Sequence, residues 1–294
     1  NFCLEKNYMK LNNAMIKDST GHILKLIIKT KPLVAKDIDN EGRTPLHVAA
    51  SSKACAPALL DLLKVHSDGA ARRTKSGKLP LHYALENRAS DESIKVLLEA
   101  YPNAVGESSN RKNPLHCACE GHASVETIQY LVDAYPQGLM EKSIDSMLPL
   151  HLACAFKQPL EAVQLLVERN PEGLLDRDRH GRLPLHHALE KNAPEEVILY
   201  ILKKEPATVK CSGYFPHLPL HIAIEKGMTQ PVIAALLKEL PGSSEEKDMF
   251  GVLPLRRVVK MKGEEDIILT VLADCPTAAS DLDEFDRLSL HYAC

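Results

Sequence analysis

One tripeptide recurs along this chain at an almost constant interval. Pro-Leu-His stands at Pro45-Leu46-His47, Pro80-Leu81-His82, Pro114-Leu115-His116, Pro149-Leu150-His151, Pro184-Leu185-His186 and Pro219-Leu220-His221. Two altered copies follow, Pro254-Leu255-Arg256 and Ser289-Leu290-His291, and the intervals are 35, 34, 35, 35, 35, 35 and 35 residues. A second series keeps the same period: Pro32, Pro102, Pro136, Pro171, Pro206, Pro241 and Pro276, with Ser67 in the remaining place. The register also brings out a disguised first copy, Leu11-Asn12-Asn13-Ala14. Repeats therefore start near residues 9, 44, 79, 113, 148, 183, 218, 253 and 288, the last cut short. A unit this short cannot bury a core alone. It must stack on its neighbours, so stability becomes a sum of contacts between adjacent units.

Each unit reads as helix, turn, helix, loop. In residues 79–112, Pro80 suits a first helical turn, where its missing N–H needs no partner. Leu81 and Ala84-Leu85 give a short apolar face, and a polar break runs from Asn87 to Asp91. Ile94, Val96, Leu97 and Leu98 mark a more apolar helix, which Pro102 ends because the residue before a proline avoids the α region. Glycine often precedes the next unit, at Gly42, Gly77, Gly181 and Gly251, and suits a turn with positive φ. Helices near ten residues are marginal alone and depend on this packing.

Composition narrows the class. The chain has 294 residues, 45% hydrophobic and 26% charged, which excludes wholesale disorder. Its 36 basic and 39 acidic residues give a net charge of −3, so bulk charge does not point to nucleic acid. No run of about 18 apolar residues occurs, so no membrane insertion is expected. The cysteines (Cys3, Cys55, Cys117, Cys119, Cys154, Cys211, Cys275 and Cys294) mostly sit in apolar segments. They read as thiols in a reducing, intracellular compartment such as the cytoplasm. The chain begins at Asn1 and stops seven residues into a repeat, so both ends read as cut and any targeting signal would lie outside.

The run Thr44-Pro45-Leu46-His47-Val48-Ala49-Ala50 resembles the opening of an ankyrin repeat, and the likeness recurs in phase over residues 9–294. The resemblance implies an all-α solenoid of stacked helix-turn-helix repeats with loop or hairpin fingers projecting from one side. Residues 1–8 would be a flank and 9–294 a single array. It further implies partner binding at the finger tips and the first-helix face beside them. Two departures stand out. The period is 35 residues, not the family's usual value of about 33. The motif threonine survives only at Thr44 and becomes Leu79, Asn113, Leu148, Leu183, Leu218, Leu253 and Leu288. In the family that hydroxyl caps the helix and bonds the motif histidine. Leucine does neither, so these leucines are expected to pack and the histidines to bond backbone groups of the adjacent loop.

No phosphate-binding glycine loop, nucleophile elbow or metal-protease motif is present. Catalytic, cofactor and metal residues are therefore expected to be absent. In His116-Cys117-Ala118-Cys119-Glu120-Gly121-His122, the two cysteines lie about 200° apart on a helix and cannot share one metal. Cys119, His122 and Cys154 read as packing positions. A histidine that recurs in seven copies of the motif reads as structural, since a catalytic one is normally singular. Glu195-Glu196 and Glu264-Glu265 open second helices, where acids favour the dipole.

Departures from the repeat carry the individuality. Early fingers are basic: Arg43, Arg72, Arg73, Lys75, Lys78, Arg111 and Lys112, then Arg177, Arg179 and Arg182. Late fingers are aromatic or apolar: Tyr214-Phe215, Met249-Phe250 and Phe285. Phe215, Phe250 and Phe285 are 35 residues apart. They form either a contact ladder for a partner or a ladder of internal packing. The basic tips are either solvated charge or a surface for an acidic partner. Acids on the neighbouring first-helix face, Glu86, Glu120, Glu190 and Glu225, argue against a nucleic-acid groove. Candidate partner-binding residues are thus Tyr214, Phe215, Met249, Phe250, Phe285, Arg43, Lys75, Lys78, Arg111, Lys112, Arg179 and Arg182. Arg256 and Arg257 break the motif, so that unit is either decaying or altered for another contact. The leading expectation is a non-catalytic scaffold that binds another protein. The alternatives are a recognition or regulatory segment of a larger protein, or a structural subunit of an assembly.

Overall fold

Each motif proline opens a helix because its ring presets φ and it lacks an N–H that would go unbonded there. The computed structural model describes residues 29–30, 32–51, 56–213, 217–282 and 287–292. They fall in two units, Asn1–Ile144 and Asp145–Cys294. In the first unit the helices are α1 (Pro45–Ser51), α2 (Ala56–Val65), α3 (Pro80–Glu86), α4 (Asp91–Ala100), α5 (Pro114–Gly121) and α6 (Val125–Ala134). In the second they are α7 (Pro149–Ala155), α8 (Leu160–Arg169), α9 (Pro184–Glu190), α10 (Glu195–Lys204), α11 (Pro219–Glu225), α12 (Gln230–Glu239), α13 (Pro254–Lys260) and α14 (Glu265–Asp274). Among the described residues there is no strand, only the isolated Ser109–Lys112 bridge. The fold is an all-α repeat solenoid. Within the first unit α1, α3 and α5 pack side by side in one layer and α2, α4 and α6 in the other. Within the second, α7, α9, α11 and α13 form one layer and α8, α10, α12 and α14 the other.

The leucines that replace the motif threonine belong to the core. Leu79, Leu148, Leu183 and Leu253 are buried, and Leu218 is half-buried. Burying a leucine contributes about 1.5–3 kcal/mol, against about 1 kcal/mol for the cap it displaces. The exchange therefore favours packing.

The first helices end alike. The amides of Ala89, Ala123, Gln158, Ala193, Met228 and Gly263 each reach the carbonyl five residues back. The residues just before them, Arg88, His122, Lys157, Asn192, Gly227 and Lys262, are left-handed. This is the closing pattern of a helix capped by a left-handed residue, here carried by glycine only once. The second proline series proves to open an element of its own, a 3-10 turn. Such turns start at Pro32, Ser67, Pro102, Pro136, Pro171, Pro206 and Pro276. After Pro241 the turn is delayed to Ser243–Glu245, behind Gly242 at φ +81°.

The fingers are hairpins whose turn chemistry explains the one irregular interval. In residues 39–43, 74–78, 178–182 and 248–252, two backbone bonds close a three-residue loop. Gly42, Gly77, Gly181 and Gly251 sit at φ between +72° and +80° in these loops, as the positive-φ reading requires. The third finger instead closes a two-residue loop, Ser109 to Lys112, with Asn110 at φ +50° and Arg111 at φ +58°. That tighter turn uses one residue fewer, which is why the 79-to-113 interval alone is 34.

Candidate functional site

The face under consideration is built from the fingers and the first helices beside them. Side chains shape each finger from within. Asp39, Asp178 and Asp248 each accept the amides two and four residues on, at 2.8–2.9 Å. Thr74 Oγ1 accepts the Lys78 amide at 3.1 Å. Burial pushes the Asp178 carboxyl up, but the Arg182 and His180 amides, His187 and the Arg182 guanidinium outweigh it and hold it at about 2.

Four motif histidines, His47, His151, His186 and His221, clip a finger to the preceding first helix. Nδ1 of His82, His151, His186 and His221 accepts the amide of the motif leucine at 3.1 Å. Nε2 of His151, His186 and His221 donates to the carbonyls of Asp176, Cys211 and Glu246, each 25 residues ahead, at 2.9–3.1 Å. His47 Nε2 reaches the Lys78 carbonyl at 3.3 Å. The expectation that these rings bond adjacent loop backbone is met. Where threonine remains, Thr44 Oγ1 lies 2.8 Å from His47 Nδ1. Asn113 does both of the threonine's tasks: its Oδ1 accepts the His116 amide at 3.0 Å and lies 2.7 Å from His116 Nδ1, while its Nδ2 donates to the Gly138 carbonyl at 3.0 Å. Burial pushes His47, His82, His151 and His186 down to about 4, so they stay neutral at neutral pH. An added proton on Nδ1 would face an amide N–H, which leaves the ring no favourable orientation. His82 Nε2 faces the shortened third finger and alone among these rings has no partner in bonding geometry.

Arg256 and Arg257 are functional replacements that the sequence reading left undecided. Arg256 Nη2 donates to the Asp281 carbonyl at 2.9 Å, again 25 residues ahead. Arg257 bonds the finger carboxylate of Asp248, as His187 Nε2 bonds Asp178 at 3.0 Å. The signal was present in the spacing, because a longer cationic side chain stands where the histidines stand and an aspartate awaits it at 281.

The basic finger residues divide by pairing. Lys78, Lys112 and Arg182 bridge back to Glu86, Glu120 and Glu190, at 2.7, 2.5 and 3.0 Å. Arg43 pairs with Asp39 at 2.7 Å and Arg179 with Asp145 at 2.6 Å. Arg73 pairs with Glu107 and donates to the Gly77 and Ser108 carbonyls, tying two fingers together. Arg177 does the same to Gly181 and Ser212. Arg72, Lys75 and Arg111 are exposed. Among the described residues no carboxylate lies in ion-pair range of them.

At the finger 248–252, Met249 is 44% and Phe250 68% exposed. The Phe250 ring lies 5.9 Å from the Arg257 guanidinium. Tyr214, Phe215 and Phe285 lie outside the described residues. Cys117, Cys119 and Cys154 are fully buried packing residues. Burial pushes the Cys154 thiol up to about 12, so it is inert as a nucleophile at neutral pH. Among the described residues, no group of three or more His, Cys, Asp or Glu side chains is placed to hold a metal. No helix among them is long and apolar enough to cross a membrane.

A family model described as ankyrin repeats (3 copies) matches the chain in four overlapping stretches, residues 11–105, 56–138, 89–172 and 125–212. No curated protein matches the chain.

Proposed function

Because the chain belongs to the ankyrin repeat family, whose repeats serve as protein-protein interaction modules, we propose that it is a non-catalytic scaffold holding a partner protein on its fingertips and adjoining first-helix face. The observation that carries this reading is the exposure of Met249 and Phe250 at a tip whose framework is satisfied from within. Asp248, Gly251 and Arg257 build that finger, and neither of the two apolar side chains is needed to close it. A large aromatic held at the end of a rigid loop is what interface hot spots use. The buried thiols support a reducing, intracellular setting.

The test is capture of partners from a native extract by the wild-type chain and by a Met249→Ser, Phe250→Ser variant. The variant should keep its helicity and its urea midpoint within about 0.5 kcal/mol and lose a protein that the wild type retains. Equal capture by both would remove these two residues from the contact. Unfolding of the variant would show that they pack.

A further inference from the structure

We propose that Arg72, Lys75 and Arg111, on the second and third fingers of the first unit, form a docking surface for an acidic segment of a partner protein. This rests on the interaction reading above and adds the chemistry of one contact. The three fingers of that unit from residue 39 to residue 112 carry seven cations: Arg43, Arg72, Arg73, Lys75, Lys78, Arg111 and Lys112. Four are spent inside the fold, on Asp39, Glu107, Glu86 and Glu120. Spent cations hold a finger closed, to a helix or to its neighbour, so their charge is already met. The other three are exposed, with no carboxylate in ion-pair range among the described residues.

Geometry sets two of these cations, Lys75 and Arg111, on neighbouring tips, and Arg72 precedes the second finger at the end of its 3-10 turn. The Lys75 amide donates to the Glu41 carbonyl at 2.9 Å, and Ser109 Oγ donates to the Ser76 carbonyl at 2.9 Å. These bonds fasten the second finger to both neighbours, so Lys75 and Arg111 ride on adjacent, immobilised tips. A partner binding there does not have to order the loops, which removes part of the usual cost of association. Arg111 also occupies the second position of a two-residue turn, where glycine fits best. The turn therefore gains nothing from an arginine there.

The occupant follows from what surrounds the three cations. Three charges suit a short segment with two or three carboxylates. They are few for a nucleic-acid backbone, which binding proteins meet with many more phosphate contacts. No exposed aromatic on these tips offers a base a stacking surface.

The experiment titrates the full chain into a labelled, unstructured peptide of Glu and Asp spaced by Gly and Ser, at low and at physiological salt. Binding should weaken with salt. An Arg72→Glu, Lys75→Glu, Arg111→Glu variant should bind about tenfold or more weakly. A variant with the same net charge change elsewhere, Lys157→Glu, Lys203→Glu, Lys238→Glu, should bind like wild type. Arg111→Gly should weaken binding about threefold while leaving the urea midpoint unchanged or higher, which separates docking from folding. Equal loss in both triple variants would reduce the effect to bulk charge and overturn the proposal. So would retained binding in the first variant, or displacement of the peptide by an oligonucleotide of equal charge that binds more tightly. If an extract partner is still captured while the peptide is not bound, this inference alone falls. If wild type captures nothing, the scaffold reading falls first.

Discussion

The repeats spanning 148–252 and the one that begins at Leu253 solve the same three problems with different side chains. In the former, a neutral histidine reaches the finger carbonyl 25 residues ahead; in the latter Arg256 does so. His187 bonds the finger aspartate in one repeat and Arg257 in the other. Ala188 and Ala193 meet at the turn closing α9, whereas Val258 fills that place in α13 and Gly263 makes room. A Cβ on Gly263 would lie 2.6 Å from Val258 Cγ1. The unit at 253 is thus a compensated variant and not a decaying one. What the repeat conserves in space is a bond, a carboxylate partner and a volume, and more than one residue set supplies them. The two solutions differ in one respect: histidine titrates within reach of mild acid and arginine does not.

The largest expected contrast is therefore with pH. An unfolded histidine takes up a proton near about 6.5, while the folded rings of His47, His82, His151 and His186 wait until about 4. The folded state binds fewer protons, so this stability is full above the unfolded value and drains as pH falls from about 6.5 to about 4. At a pH near 5 the loss should be about 1–2 kcal/mol for each such ring. Amide exchange at that pH should show α7 and α9 opening more than at neutral pH, and α13 much less so. Equal loss of protection in α13 would break the comparison. Next in size, His186→Ala should cost about 3 kcal/mol by urea unfolding. It leaves a cavity and strands the Leu183 amide and the Cys211 carbonyl. Smaller still, Arg256→His should cost about 1 kcal/mol at neutral pH and give the 253 repeat the acid sensitivity of its neighbours; a flat pH response in that variant would show that the clip is not the titrating element. Smallest, Arg111→Gly should raise stability by about 0.5 kcal/mol, since a two-residue turn with Asn first prefers glycine second.

Much of the framework could be read from residues alone, because proline and glycine act locally. Pro80 suits a helix start and Gly42 a positive φ through their own covalent geometry, without reference to distant neighbours. The burial of Leu79 and the backbone partners of the histidines followed from what leucine cannot do. The 3-10 turns escaped notice because a proline that ends one helix looks the same whether a loop or a tight turn comes next. The pairing of Lys78, Lys112 and Arg182 with acids eight residues on was hidden for another reason: along one helix or strand, eight residues span about 12 Å or more, too far for an ion pair. It arises only when an extended finger folds back across a helix. Arg256 left decay and adaptation equally open because sequence compares side-chain types, and the fold compares how far a donor reaches.

The clip also gives the array a direction. The motif histidines of α7, α9 and α11 bond the finger that follows, while the side-chain bonds of His187 and Arg257 run to the finger before. A chain ended after residue 175 would deprive His151 of the Asp176 carbonyl, while one begun at residue 183 would leave His186 and Cys211 joined. Shortening from the carboxyl side therefore orphans the motif histidine, and shortening from the amino side orphans His187, so the two cuts break different bonds of the same helix.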